Sequence, residues 1–241
     1  MSVMGSALPI TSGIFRYNNS IMQALLNNPD FCKSFLIWIE TSLEDGSNHL
    51  ATSNQGTLLL YQQDDNSCVV KAPMGKAAAY KARLTTLRRE FRAYENMQGL
   101  NNIPEIYAFL KQQYLVMEYI PGSPYRYASW QDRDLWFTQL QQTIEAFHQR
   151  GVAHGDLKSK SNIIVTEDQK PCVIDFGTAI TFRLGFHPIN HLLFRFACRL
   201  DRNAWVKHKY HGDYEAASEV DKTWLKHSLL EKLLRKFRRR A

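Results

Sequence analysis

Two stretches decide the fold of this sequence: His154-Gly155-Asp156-Leu157-Lys158-Ser159-Lys160-Ser161-Asn162 and Val173-Ile174-Asp175-Phe176-Gly177. In the first, an acid follows a predicted helix, and an amide stands a few residues later, before a predicted strand. In the second, another acid ends the next predicted strand. Amide and carboxylate oxygens are ligands that Mg²⁺ accepts, with phosphate oxygens completing the shell, and a carboxylate left off the metal could orient a hydroxyl nucleophile. The pattern therefore predicts a metal-assisted phosphate site on one hairpin.

The upstream sequence offers a cation for such phosphates. Lys71 lies on the predicted strand Cys68–Ala72, which forms a hairpin with the predicted strand Thr57–Gln62. Glu90 lies on a predicted helix over residues 77–98 and flanks its apolar stripe. An ion pair between Lys71 and Glu90 would hold the lysine ammonium over anionic phosphates.

The other predicted elements follow from apolar periodicity and turn residues. They are helices near 18–27, 31–43 and 132–150, strands at Ile106–Leu110, Tyr114–Ile120, Asn162–Val165 and Cys172–Ile174, and helix throughout the chain after about residue 188. The buried stripes are predicted to be Leu84, Leu87, Phe91 and Tyr94 on one helix and Leu135, Leu140, Ile144 and Phe147 on another. Gly151 stands where the second of these helices needs a C-terminal cap.

Taken together, these motifs resemble the protein-kinase-like superfamily over about residues 50–180. Lys71 matches the strand lysine of that superfamily, Glu90 its paired helix glutamate and Asp156 its catalytic-loop aspartate. Asn162 and Asp175 resemble its metal-binding asparagine and aspartate. The resemblance implies phosphoryl transfer from ATP to a hydroxyl with Mg²⁺, catalysed by positioning and electrostatics.

Further roles are implied by the same resemblance. Glu118-Tyr119-Ile120 resembles the hinge, so the backbone at Glu118 and Ile120 is expected to pair with adenine, and Lys158 is expected to point at the γ-phosphate. His-Gly-Asp in place of His-Arg-Asp is similar to the small bacterial lipopolysaccharide core kinases, which phosphorylate Kdo or heptose sugars, and to RIO-like kinases.

The implied fold is α+β with two lobes and ATP in the cleft: a small antiparallel-sheet N-lobe with one main helix, and a mostly helical C-lobe. Pro121-Gly122-Ser123-Pro124 breaks the chain between the halves. We therefore predict an N-terminal helical extension over residues 1–48, the N-lobe over 49–121 and the C-lobe over 122–241.

The sequence departs from the superfamily at three places. Around Gly56 there is one glycine where protein kinases have three, so Gly56 either meets phosphate through its N–H or only turns a hairpin. Asn162 stands six residues after Asp156, where the family usually has five, so Ser161 competes for the metal position; we favour Asn162. No Ala-Pro-Glu motif follows Asp175, and the short segment after it argues against the usual peptide groove.

Composition bounds the class of protein. The chain has 241 residues, 44% hydrophobic and 22% charged, which is typical of a globular domain. No apolar run approaches the roughly 20 residues of a membrane span, and no secretory leader is expected. Four cysteines without a Cys-x-x-Cys pair predict reduced thiols in the cytoplasm.

The net charge of +7 is concentrated at the C-terminus. Residues 222–241 carry eight Lys or Arg and one acid, while the other 221 residues carry 22 of each sign. Trp224, Leu225, Leu229 and further apolar residues interleave with these charges at helical spacing. The predicted basic helix either packs on the C-lobe or binds the cytoplasmic face of an anionic inner membrane; a nucleic-acid partner is not favoured.

The sequence thus predicts a cytoplasmic ATP-dependent kinase whose acceptor is a hydroxyl of an anionic glycolipid, most simply a lipopolysaccharide core sugar. A serine/threonine protein kinase of the RIO-like type is the first alternative. An aminoglycoside kinase would call for an acidic acceptor lobe, which this basic C-terminus does not supply. A non-catalytic kinase-fold binding module is the remaining alternative, supported by the poor glycine loop.

Overall fold

The structure is a computed structural model that describes residues 21–53, 56–63 and 66–225. The chain divides into two compact units, each built from two segments: Met1–Leu84 with Glu105–Tyr119, and Thr85–Pro104 with Ile120–Ala241. The sequence-predicted lobe boundary at residue 121 stays a prediction, because neither unit is continuous along the chain.

The first unit is built on a five-stranded antiparallel sheet with the order β1-β2-β3-β5-β4. Its strands are β1 (His49–Ser53), β2 (Gly56–Gln63), β3 (Asn66–Ala72), β4 (Ile106–Leu110) and β5 (Tyr114–Glu118). The two predicted hairpins are present. The structure adds β1, which the polar sequence before Gly56 did not indicate.

The N-terminal helices pack on this sheet. Residues 21–27 are helical (α1), and α2 runs over Pro29–Asp45. The Asn28 side chain accepts from two backbone N–H groups at the start of α2, and Gly46 ends it in the left-handed conformation. Phe35 and Trp38 of α2 make edge-to-face contacts with Tyr61 of β2. Through these aromatic contacts, the described part of the predicted N-terminal extension packs on the sheet.

Helix α3 (Ala77–Met97) buries a different stripe from the one predicted. Leu87 and Tyr94 are buried as expected, but Leu84 and Phe91 are only half-buried. Glu90, which was expected to flank the stripe, lies inside it at 2% exposure. An apolar pattern cannot find such a position, because it assigns every carboxylate to solvent.

The second unit has α4 (Arg133–Gln149) at its centre, with the Asp132 side chain accepting from Leu135 N–H at its N-cap. Leu140, Ile144 and Phe147 are buried as predicted, but Leu135 is 54% exposed. Trp136 and Phe137 are buried instead. Gly151 has a φ of +71° just after α4, the conformation predicted for a glycine there.

Two small sheets and a long helix complete this unit. The sheets are β6-β8-β9 and β7-β10, and their strands are β6 (Gly122–Pro124), β7 (Val152–Ala153), β8 (Ile163–Thr166), β9 (Pro171–Val173) and β10 (Ile180–Thr181). Helix α5 spans Pro188–Lys209 and α6 spans Glu219–Lys222.

The prediction of continuous helix after residue 188 is wrong for residues 210–218 and again for residues 223–225. Arg133 donates to the carbonyl oxygens of His208 and Lys209, at 3.2 Å and 2.6 Å, which satisfies the end of α5. His211 and Gly212 then turn the chain with positive φ angles. Asp221 of α6 is bound by Lys209 and Tyr210 at 2.7 Å and 2.5 Å, which fixes α6 beside the end of α5.

Candidate active site

The loop between β7 and β8, residues 154–162, carries the predicted catalytic residues. It leaves β7 at His154, turns at Gly155 and ends in the 3₁₀ turn Lys160–Asn162. Gly155 has a φ of +79°, which glycine adopts without the steric cost that a Cβ imposes. This conformation is a physical reason for glycine in His-Gly-Asp, since the turn brings the chain from buried His154 to exposed Asp156 within two residues.

His154 is a scaffold for this loop. Its side chain is fully buried and lies 4.7 Å from the Phe176 ring, centroid to centroid. The Asp156 N–H donates to Nδ1 at 3.2 Å, so Nε2 carries the proton and donates to the Ile174 carbonyl at 3.0 Å. The imidazole therefore joins the backbone N–H of Asp156 to the Ile174 carbonyl, one residue before Asp175.

Asp201 of α5 binds the backbone of the same loop, a role that no sequence pattern had indicated. Its carboxylate is fully buried and accepts from His154 N–H at 2.9 Å and Gly155 N–H at 2.8 Å. His148 of α4 donates to it at 3.0 Å. One signal was available: Asp201 is the only acidic residue between Asp175 and Asp213.

His208 is a second buried anchor on α5. Its Nε2 hydrogen-bonds to the Leu157 carbonyl oxygen at 2.8 Å, one residue past Asp156. Burial lowers the pKa of His208, because a charged imidazolium is poorly solvated there. One helix thus holds both sides of Asp156, through Asp201 before it and His208 after it.

Asn162 is brought directly to Asp156. Its Nδ2 donates to the Asp156 carbonyl oxygen at 3.0 Å and lies 3.4 Å from Oδ2 of the same residue. Asn162 is buried, whereas its competitor Ser161 is exposed and shares a hydrogen bond with the Ser159 hydroxyl. Asn162 is the last residue of the 3₁₀ turn Lys160–Asn162. The prediction that the extra residue relative to the family spacing lies in this loop stays a prediction.

Asp175 follows immediately after the hydrogen bond that joins the two strands, where Ile174 N–H donates to the Asn162 carbonyl at 3.0 Å. It takes the left-handed conformation, with φ and ψ both at 66°. Its N–H donates to the Tyr94 hydroxyl of α3 at 3.3 Å. Burial and the nearby carboxylate of Glu90 raise the pKa of Tyr94, so its hydroxyl stays protonated.

The remaining predicted residues of the second unit are Glu90, Ile120 and Lys158. Lys158 is exposed two residues after Asp156. Glu90 is buried on α3, one turn before Tyr94. Ile120 is half-buried at the start of the second segment of this unit.

The first unit carries Gly56, Lys71 and Glu118. Lys71 is half-buried on β3, paired in register with Leu58 and Leu115. Gly56 opens β2, and a Cβ there would collide with the carbonyl oxygen of Ala72. Glycine at this position therefore has a structural reason, the close approach of β3, beside the predicted phosphate contact.

Glu118 is tied into the sheet of the first unit. Its N–H donates to the Glu105 carbonyl at 2.8 Å, and its carboxylate accepts from Glu105 N–H at 3.0 Å. The backbone N–H of Glu118 thus already has a hydrogen-bond acceptor within the protein. The adenine contacts predicted for Glu118 and Ile120, and the ion pair predicted between Lys71 and Glu90, stay predictions.

The donor set of the second unit fits Mg²⁺. Asn162 and Asp175 offer oxygen ligands from adjacent strand ends, and Mg²⁺ is usually held by one or two such residues plus phosphates and water. Within the described ranges, no group of three or more His, Cys, Asp or Glu side chains could hold a metal ion. An amide–carboxylate pair is consistent with that result and suits a metal that arrives with a nucleotide.

The four cysteines all lie in the described part of the chain, and none of them is in a disulfide. Burial raises the pKa of Cys198 to about 12, so its thiol stays protonated. Among the described residues, no helix is both long and apolar enough to cross a bilayer.

Comparisons with known proteins bear on the family of the chain. The family model described as protein kinase domain matches residues 54–191, more than half of the chain. Serine/threonine-protein kinase C of Synechocystis sp. (strain ATCC 27184 / PCC 6803 / Kazusa) is 34% identical over 85 residues, which cover 31% of this chain. The chain spans about a sixth (16%) of the length of that curated relative. The predicted fold class is confirmed, and the predicted enzyme class agrees with both matches.

Proposed function

Because the chain belongs to the protein kinase domain family, we propose that it transfers the γ-phosphoryl group of ATP to a hydroxyl. One observation carries this proposal: the Asn162 amide holds Asp156 through its carbonyl oxygen, while α5 fixes the backbone on both sides of that acid. Such restraint is what a residue needs in order to present its carboxylate to an acceptor hydroxyl in one orientation.

The proposed roles follow the chemistry of each side chain. Asp156 orients the acceptor hydroxyl and takes up its proton, and exposed Lys158 offers an ammonium to the γ-phosphate. Lys71 of the first unit binds phosphate oxygens. Asn162 and Asp175 hold Mg²⁺, which when bound neutralises charge on the transferred phosphoryl group.

For the acceptor we propose a sugar hydroxyl on an anionic glycolipid of the lipopolysaccharide-core kind. The support is the shortness of the segment after Asp175. A 3₁₀ turn, Phe176–Thr178, leads into β10, and α5 begins at Pro188. Only twelve residues thus separate Asp175 from α5, which leaves little chain to build a groove for an extended peptide.

A protein acceptor is the second candidate, and the name of the matched relative favours it. That protein is a serine/threonine-protein kinase, although its similarity covers less than a third of the present chain.

The proposed location is cytoplasmic, with peripheral binding to the inner membrane through the predicted basic C-terminal helix. Residues 223–225 of this predicted helix are not helical, and residues 226–241 lie outside the described residues.

The decisive experiment offers labelled ATP with Mg²⁺ to two acceptor fractions, membrane glycolipid and protein extract. We expect label in the glycolipid fraction, and we expect Asp156→Ala to lower its rate by at least about a thousandfold. Arg126→Glu is a matched surface control that should keep the rate. Label in protein alone would establish the second candidate, and no Asp156-dependent label in either fraction would leave the non-catalytic binding module.

A further inference from the structure

The surface that follows the Asp175 motif is apolar and exposed. Leu184, Phe186 and Ile189 are 88%, 91% and 75% exposed, and Leu192, Leu193 and Phe196 are exposed beside them. We call these six residues the apolar face. Contiguous exposed apolar surface of this kind on a folded unit marks an interaction site rather than ordinary surface.

The residues of α5 in this face form one stripe. Ile189, Leu192, Leu193 and Phe196 recur at the i, i+3, i+4 and i+7 spacing of a single helix side. A neighbouring side of α5 packs on the unit, where Ala197 and Cys198 form a small core with Ala153 of β7. Helix α5 is therefore apolar on two sides, and only one of them is covered within the described residues.

The loop residues of the face are held in place. Asn190 accepts from Arg183 N–H at 2.8 Å and donates to the Thr181 carbonyl at 3.0 Å. His191 hydrogen-bonds to the Arg183 carbonyl at 2.8 Å. These bonds join the first turn of α5 to the loop on which Leu184 and Phe186 lie, so the two side chains project from an ordered turn.

The charged residues on the chain segment that carries the face are all basic. From Phe176 to Leu200 the sequence contains three arginines and no acid. Arg195 and Arg199 follow Leu192 by three and seven positions, so they border one edge of the stripe. The Arg199 guanidinium lies 5.6 Å from the centre of the Phe196 ring, which holds this charge against the apolar edge.

A cavity of about 970 Å³ opens at the same edge, between α4 and α5. Arg195, Arg199 and Arg202 line it together with Leu192 of the apolar face, and Glu145 is the one acid in its lining. Guanidinium groups bind phosphate oxygens in a bidentate manner. The cavity thus joins a phosphate-binding lining to an apolar surface.

We propose that this surface docks on an anionic lipid bilayer. The apolar face enters the headgroup boundary, and lipid phosphates bind at Arg195, Arg199 and Arg202. An apolar stripe bordered by arginines is the arrangement of helices that lie in a membrane interface, and the absence of acids from this stretch of sequence removes repulsion from anionic lipid. The residues of this surface do not include the basic C-terminal residues 222–241, and the proposal does not depend on which acceptor the enzyme uses.

The test is sedimentation of the full chain with vesicles, without nucleotide. The variants are Leu184→Ser with Phe186→Ser, and Arg195→Glu with Arg199→Glu. The controls are Val220→Ser, which replaces a residue 75% exposed outside the face, and Arg126→Glu. We expect wild type to bind phosphatidylethanolamine–phosphatidylglycerol vesicles and both double variants to bind at least about tenfold more weakly. Both controls should bind like wild type, and all variants should keep the wild-type melting temperature.

Two results would overturn the proposal. Equal binding by wild type and the double variants would assign any vesicle binding to residues outside this surface, such as those of the C-terminus. Loss of self-association in the double variants, with unchanged vesicle binding, would make the face a contact between two copies of the chain. Because vesicle binding is measured without ATP, its failure would leave the proposed phosphoryl transfer intact.

Discussion

Asn162 is the residue on which the metal assignment depends most, since Ser161 beside it occupies the position that the usual family spacing would give. We predict that Asn162→Ala raises the Mg²⁺ concentration for half-maximal activity at least about tenfold and lowers turnover. The alanine removes both the oxygen ligand and the hydrogen bond to the Asp156 carbonyl. Kinetics with Mg²⁺ titrated at saturating ATP measure both effects.

Ser161→Ala is the matched control, because the Ser161 hydroxyl is exposed and bonds to Ser159 and to the Asn162 oxygen. It should change the Mg²⁺ requirement little. Asn162→Asp keeps an oxygen ligand and should retain more of the metal affinity than Asn162→Ala. A larger effect from Ser161→Ala than from Asn162→Ala would move the ligand to the serine.

The buried His208 should make the free energy of unfolding depend on pH. Its folded-state pKa lies below the ordinary value of 6.5, so the unfolded chain binds the proton more readily than the folded one. The free energy of unfolding should therefore fall as the pH drops below 6.5. In His208→Gln, whose amide can still donate to the Leu157 carbonyl, this part of the pH dependence should disappear. Urea titrations between pH 5 and pH 7 (roughly the range in which histidine titrates) measure it, and an unchanged slope would contradict it.

At the scale of secondary structure, Asp201 is where α5 controls the catalytic loop. We predict that Asp201→Asn lowers the free energy of unfolding by about 2 to 4 kcal/mol, because an amide nitrogen cannot accept the N–H groups that the carboxylate accepts. Turnover should fall as well, since Gly155 and Asp156 lose their restraint. Urea denaturation and steady-state kinetics measure the two effects.

His148→Gln is the comparison for that variant. Glutamine can still donate to Asp201, and the Nδ1 of His148 has no hydrogen-bond partner among the described residues, so the loss should be about 1 kcal/mol. Equal destabilisation by both variants would mean that the two backbone bonds contribute little. In that case the carboxylate would serve mainly to pair with His148.

The strands and helices show how much of this structure can be predicted from the sequence. Strands β2 to β5 and helices α3 and α4 follow from local periodicity, and the site motifs lie on the predicted hairpin. Leu135, Glu90 and Asp201 were assigned wrongly or not at all, because their burial depends on partners far away in the chain. Asp201 contacts residues 46 and 47 positions earlier, a distance that no local pattern reports.

For the molecule as a whole, the charge distribution makes a prediction about its C-terminus. Removing residues 235–241, which include five basic side chains, should weaken binding to anionic vesicles at low salt, by up to about 1 kcal/mol for each charge lost. Trp224 lies 5.1 Å from Trp205, so the anchor of this segment on α5 precedes the deletion, and the fold should survive. Vesicle sedimentation at two salt concentrations measures the loss, and equal binding by both proteins at low salt would contradict the role.

The hydrogen bonds of Asp201 to the catalytic loop also bear on where this domain ends. The family match stops at residue 191, ten positions before the acid that holds the catalytic loop. A fragment cut to the matched region would leave the amides of His154 and Gly155 without their acceptor. During synthesis, the amides of His154 and Gly155 would likewise gain this acceptor only after α5 has left the ribosome. The functional unit is therefore longer than the stretch that resembles other kinases.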